Sequence, residues 1–243
     1  MPPDRNHNDS GLEAREVSKY FGDFPALKRV TLRIAAGECA LIYGANGAGK
    51  TTLLRVLASL TEPSAGEIWL GGRKVDRRTV ALKSRVGFVS HATFLYGDLT
   101  VEENLVLAAK LFGLSSVRSR VSAVIETFGL VDRARQSVRS LSRGLQQRAT
   151  LARAMLHEPD FLLLDEPFTG LDSTAVASLE ALLRRLPSQG KAVAFSTHNF
   201  AQGISIAHRL VAVERGRVSY DGPVASAPAE YSLRAPEAEV ARS

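Results

Sequence analysis

Residues able to do chemistry gather in three stretches of this chain. The first is Gly44-Ala45-Asn46-Gly47-Ala48-Gly49-Lys50-Thr51, followed by Thr52. Glycines at 44, 47 and 49 let the backbone curl until successive N–H groups converge on one anion. Lys50 adds an ammonium for the β- and γ-phosphates of a nucleotide, and Thr51 a hydroxyl for Mg²⁺. The second stretch is Asp165-Glu166, two carboxylates delivered at the end of Phe161-Leu162-Leu163-Leu164. Asp165 would hold Mg²⁺ through water, and Glu166 would accept a proton from an attacking water. The third is His198, just past the apolar run that ends at Ser196, where it could meet the γ-phosphate or that water.

Each stretch needs an element to aim it. Ala40 to Tyr43 reads as a buried strand, and Leu53, Leu54 and Leu57 fall at helical spacing after the loop. Strand, glycine-rich turn and helix in that order are what a phosphate-binding loop requires, and the helix N-terminus adds its positive end to the same anion. Phe161 to Asp165 forms the next strand of the site, and acids at such a strand end sit where open parallel sheets bind ligands. Standing alone, paired acids usually just solvate a strand end, and a lone histidine is more often structural. Downstream of this loop the functional reading is several-fold stronger.

Elsewhere the pattern predicts an extended segment over Leu12 to Phe21, an alternating strand over Val30 to Ile34, and a hairpin from Gly66 to Val75 turning at Gly71-Gly72. Val86 to Ser90 reads as another strand. Thr100 with Glu103 forms a capping box for a helix to about Phe112, and Val117, Val121, Val124, Ile125 and Phe128 mark a second helix. A third runs from near Gly144 to His157. Val176, Leu179, Leu183 and Leu186 mark a helix before the strand Ala192 to Ser196, and a closing hairpin spans Leu210 to Tyr220. Residues 1–11 are expected to be a disordered lead, 12–222 one domain, and 223–243 a flexible tail rich in Ala, Pro and Glu.

Composition bounds the function class. The net charge of +6, mostly from arginine, and an apolar share of 45% fit a globular protein and select no partner. One cysteine, Cys39, excludes an internal disulfide. No apolar run approaches the roughly 20 residues that span a bilayer. The expected place is therefore cytoplasmic, or peripheral on a membrane through a partner.

GANGAGKT, LSRGLQQRATLARAM, LLLDEPFTGLD and FSTH, in this order and spacing, resemble the ATP-binding subunit of ABC transporters over about Leu12 to Pro223. The resemblance implies an α/β P-loop NTPase core with an antiparallel β-subdomain and a helical subdomain at about 92–150. It implies ATP with Mg²⁺, the latter held by Thr51 and Asp165, and Glu166 and His198 as catalytic residues. It implies a head-to-tail homodimer, each ATP lying between one subunit's phosphate loop and Ser142, Arg143, Gly144 and Leu145 of the other. By the same resemblance Phe21 stacks on adenine, with Tyr20 the weaker candidate, and Asp172 supports the dimer contact. Integral membrane subunits are the implied partners, on the cytoplasmic face of the inner membrane. Nucleic acid is not an expected partner: the segment between phosphate loop and signature is too short for the coiled coil of a DNA-acting relative.

Two departures from the family pattern stand out. Arg143 and Leu145 replace a glycine and a glutamine of the usual LSGGQ, and His91 stands where glutamine is usual, at a coupling position. His91 with Leu99-Thr100 and Glu103-Asn104-Leu105 is similar to one branch, the haem-exporter subunit of cytochrome c maturation. That implies haem export, with no haem bound by this chain. An exporter of another cargo, or a nucleotide-binding regulator without hydrolysis, are the alternatives.

Overall fold

A computed structural model describes residues 11–76, 79, 83–90 and 92–233. His91, the expected coupling residue, lies outside the described residues, as do residues 1–10 and 234–243. Two sheets form the frame. The first is antiparallel, in the order β2 (Phe24–Ala35), β1 (Gly11–Phe21), β4 (Ala65–Leu70), β5 (Arg73–Val75). The second has six strands in the order β10 (Arg217–Pro223), β9 (Arg209–Glu214), β3 (Cys39–Tyr43), β8 (Ala192–Ser196), β7 (Phe161–Leu164), β6 (Val86–Val89). From β9 to β6 every pairing is parallel, and β10 closes the edge antiparallel.

The alternation of Val30, Thr31, Leu32, Arg33 and Ile34 is realised as buried, exposed, buried, exposed, buried. The parallel strands are apolar throughout because both faces are covered. Ala40 and Ile42 of β3 pack toward Leu53, Leu54 and Leu57 of α1 (Lys50–Leu57) and toward the antiparallel sheet. Cys39, Leu41 and Tyr43 face the other way, toward Leu179, Leu183 and Leu186 of α5 (Ser173–Ser188).

A separate apolar cluster joins α2 (Val101–Leu111), α3 (Val117–Thr127) and α4 (Arg143–Met155) through Val101, Leu105, Val121, Ile125, Ala149 and Ala152. Phe128 packs against both this cluster and the α5 side of the main core. Arg209 stitches the two sheets: Nη2 donates to Asp221 Oδ2 of β10 at 2.7 Å, and Nη1 donates to Glu38 Oε1 at 3.0 Å and to the Arg33 carbonyl of β2 at 2.8 Å.

Several expectations need correction. Gly11, placed in the disordered lead, is buried at the start of β1. α4 ends at Met155, short of His157. A helix not foreseen, α6 (Phe200–Ile206), starts where Asn199 Oδ1 accepts the Gln202 N–H at 3.0 Å. The stretch after Pro223, expected to be flexible, holds a 3₁₀ turn and α7 (Ala229–Leu233). A five-residue helix is too short to show periodicity. It is fixed by one aromatic anchor, Tyr231, whose hydroxyl lies 3.1 Å from Ser219 Oγ while its ring meets Tyr220.

Candidate active site

The phosphate loop joins β3 to α1. Gly49 precedes the helix with φ +113°, and a Cβ there would lie 2.6 Å from the Ala26 carbonyl, so only glycine fits. No side chain caps α1 and its first turn has no acid, which leaves its first N–H groups free for an anion. The Lys50 ammonium curls back over the loop and donates to the carbonyls of Gly44 at 2.7 Å and Ala45 at 3.1 Å. Burial lowers its pKa, against the opposing pull of Glu166 and Asp165. Phosphate oxygens would be better partners for this ammonium than two carbonyls.

Parallel pairing puts Leu164 of β7 opposite Phe195 of β8, so the next residues, Asp165 and Ser196, meet. Ser196 Oγ donates to Asp165 Oδ1 at 2.8 Å and accepts the Glu166 N–H at 3.0 Å. Asp165 is 1% exposed, and its Oδ2 is buried with no hydrogen-bond partner among the described residues. An orphaned carboxylate oxygen is costly, and a cation or its bound water would satisfy it. Mg²⁺ therefore fits here. No group of three or more His, Cys, Asp or Glu could hold a metal among the described residues, so the ion would have to share its shell with phosphate and the Thr51 hydroxyl.

Glu166 has φ +50°, a left-handed conformation that costs a non-glycine residue about 1–3 kcal/mol. Its backbone is pinned by Ser196, and its Oε2 accepts the His198 N–H at 3.2 Å and lies 2.9 Å from His198 Nδ1. The ring of His198 is otherwise largely open to solvent.

A cavity of about 370 Å³ unites these groups: Asn46, Gly47, Gly49, Lys50, Thr51, Thr52, Asp165 and Glu166, with Phe21 and Phe24 at its mouth. Phe21 is 54% exposed and Phe24 62% exposed, so two bare aromatic faces stand beside the loop; Tyr20 does not line the cavity. A larger cavity, about 950 Å³, flanks Gly44, Ala45, Asn46, Gly47 and Ala48 on the other side and reaches His198, but it contains neither Lys50 nor a carboxylate of the pair. Its size does not make it the reaction site.

Ser142 caps α4 and accepts the Leu145 N–H at 3.4 Å. Asp172 caps α5, accepting the Ala175 N–H at 2.8 Å, and a Cβ on Gly144 would lie 3.8 Å from its Oδ2. The Arg143 side chain lies along Gly170. Ser142, Arg143, Gly144, Leu145 and Asp172 thus form one neighbourhood, and none of them lines the cavity of the phosphate loop.

Residues 27–169 match the family model described as ABC transporter. The chain belongs to the ABC transporter family. It is an ABC-type ATPase, working with ATP and Mg²⁺. The Nod factor export ATP-binding protein I of Paraburkholderia xenovorans is 38% identical over 216 residues, 88% of this chain and 71% of that protein. A solved ATP-binding subunit of an ABC transporter aligns with a TM-score of 0.82 at 29% identity, covering 92% of this chain and 94% of that one. The dimeric post-hydrolysis ATP-binding cassette MJ0796, bound to ADP and Pi, aligns at 0.79 with 28% identity, covering 88% and 98%.

Two members of this ABC ATPase site are absent from the sequence reading, Ser196 and Phe24. Ser196 could have been found: a lone hydroxyl closing an apolar strand, placed by parallel register opposite an acid. Phe24 had no comparable signal, because its exposure depends on the turn after β1.

Proposed function

We propose that this ABC ATPase acts as a head-to-tail homodimer on integral membrane partners and powers export. One observation carries the dimer: the N-terminus of α4, capped only by Ser142, lies outside the cavity of its own phosphate loop. The dimeric cassette MJ0796 supports the same reading. In this arrangement Ser142, Arg143, Gly144 and Leu145 close the partner subunit's ATP, and Asp172 beside them backs the contact.

Within each site, Phe21 and Phe24 offer ring faces to the base. The loop amides and Lys50 hold the β- and γ-phosphates, and Thr51 with Asp165 would hold Mg²⁺, which neutralises phosphate charge when bound. Glu166, the carboxylate left at the cavity wall, accepts the proton of the attacking water, and His198 orients Glu166. Ser196 positions both acids without touching substrate.

Among the described residues no helix is long and apolar enough to cross a membrane. Phe94 and Tyr96, 47% and 62% exposed in the loop leading to α2, are our docking anchors, with Leu95 packed inward; His91, shortly before them in the sequence, would couple docking to the site. For cargo, the resemblance around His91 supports haem. The relative named for Nod factor export matches over most of the chain and supports a different cargo, which we favour.

The test is affinity capture of the tagged ATPase from detergent-solubilised membranes, with Tyr96→Ala as control. Integral proteins retained by the parent and lost in the variant support docking; recovery of none refutes it. Covalent haem in c-type cytochromes of a deletion strain, measured against total cytochrome polypeptide, decides the haem reading. Normal levels remove it.

A further inference from the structure

A third cavity, about 470 Å³, opens between the end of α3, one side of α4 and the outer face of α5. Its volume falls in the range of about 300–1,000 Å³ that holds small ligands. The floor is apolar: Leu151 of α4, Leu171 in the turn before α5, Leu179 and Leu182 of α5, and Phe128. Two arginines, Arg148 and Arg185, line the cavity together with a single acid, Glu126.

The two arginines are the informative residues. Arg148 is half-buried, yet its guanidinium has no hydrogen-bond or ionic partner among the described residues, and the same holds for Arg185 on the more exposed edge. A planar guanidinium held beside apolar surface without an acceptor is matched by a carboxylate, sulfonate or phosphate with a hydrocarbon part behind it. We propose that this groove binds an anionic single-chain amphiphile, its acid on Arg148 and Arg185 and its chain over Leu151, Leu179 and Leu182.

The place gives such a ligand a consequence. Phe128, on the groove wall, packs against both the three-helix cluster and the α5 side of the main core. The groove is flanked by α4, which begins at Ser142, and by α5, which begins at Asp172. A chain seated between them fixes the spacing of the two helix starts, of which we assign one to the partner subunit's ATP and the other to the dimer contact. The binding claim is independent of that assignment; the effect on turnover rests on it.

Isothermal titration with dodecanoate below its critical micelle concentration tests binding, using the full chain. Dodecyltrimethylammonium, with the same tail and opposite charge, is the charge control. Arg148→Gln removes the head-group contact, and Ala181→Trp, at an exposed position on α5, fills the groove. Dodecanoate should saturate the parent, bind at least tenfold more weakly to Arg148→Gln, and show no saturable binding to Ala181→Trp. Equal binding of the cationic amphiphile, or equal affinity of the parent and both variants for dodecanoate, would overturn the proposal. Circular dichroism confirms that each variant is folded. ATP turnover of the parent should fall with KM for ATP unchanged. If dodecanoate binds as predicted while turnover holds, the site stands and the assignment of the two helix starts fails.

Discussion

At the start of α2, Thr100 Oγ1 accepts the Glu103 N–H at 3.1 Å while Glu103 Oε2 accepts the Thr100 N–H at 2.8 Å, a closed capping box with Glu102 and Glu103 in the first turn. At the start of α1 there is no capping side chain and no acid, only Gly49 in a left-handed turn. The same backbone dipoles are thus neutralised from within at one helix and left bare at the other. Ser142 of α4 falls between, with a single long cap of 3.4 Å. Of this pair, the bare end is the one that faces the site and the closed end holds the scaffold; a carboxylate at α1 would occupy the place of the phosphate.

Substitutions at the bare end and its neighbours should change chemistry, whereas those at the closed end should change only stability. The largest effect is expected for Glu166→Gln, which keeps shape and loses the base: turnover should fall about 10²–10⁴-fold with ATP still bound. Phosphate release beside filter binding of ATP measures both, and parental turnover would remove Glu166 from its role. Lys50→Ala should weaken a fluorescent ATP analogue by about 10–100-fold, the worth of one charge-assisted hydrogen bond of about 1.5–3 kcal/mol. If affinity is unchanged, the loop is not the site. Ser196→Ala should lower kcat about tenfold with little change in KM, since it frees two acids that do not bind the base or ribose. A pure KM effect would show that Ser196 acts on binding instead.

At the closed end, Thr100→Ala should cost about 1 kcal/mol in denaturant titration and leave nucleotide affinity unaltered. A loss of affinity there would break the contrast between the two helices. The smallest effect is just past the end of α4. His157 stacks on Phe112 at 4.1 Å, its Nε2 faces the Val86 carbonyl, and its Nδ1 is buried without a partner among the described residues. Burial pushes its pKa below the ordinary 6.5, helped by Arg153 and Lys191 and opposed by the Val86 contact. The folded state then binds fewer protons than the unfolded one, so this stability is present above 6.5 and fades as pH falls through the folded value. Thermal melts between about pH 7 and 5 should show a smaller acid loss in His157→Gln than in the parent. Equal slopes would mean that folding leaves the imidazole's proton affinity unchanged.

Where the chain's chemistry follows from local order, it was legible in the sequence. The strand–loop–helix around Lys50, the Thr100–Glu103 box and the acids after Leu164 could each be read from neighbours a few residues apart. What escaped depends on distant pairing. Ser196 becomes part of the site only because β7 and β8 lie in register, and the Arg209 stitch joins residues that are far apart in the chain. Tyr231 escaped for a different reason: one aromatic in a polar stretch carries no period, and its burial is set by Ser219 and Tyr220. The separation of Gly144 from Lys50 is a matter of three-dimensional placement, and in the sequence it entered only through the family resemblance, which implies that the two meet across a dimer.

Arg209 also bears on how this molecule can change over generations. One planar guanidinium serves a carbonyl of β2, Glu38 ahead of β3 and Asp221 of β10 at once, and hydrogen bonding to Asp221 leads the rise in its pKa. A lysine ammonium also has three donors, but it lacks the planar fork that takes both oxygens of Asp221 while Nη1 still serves Glu38 and the carbonyl. Replacement of Glu38 or Asp221 alone strands charge on the others, so losses at these positions should be strongly non-additive. Drift here must be concerted: the three side chains are inherited together or replaced together, while the helix faces around them vary singly.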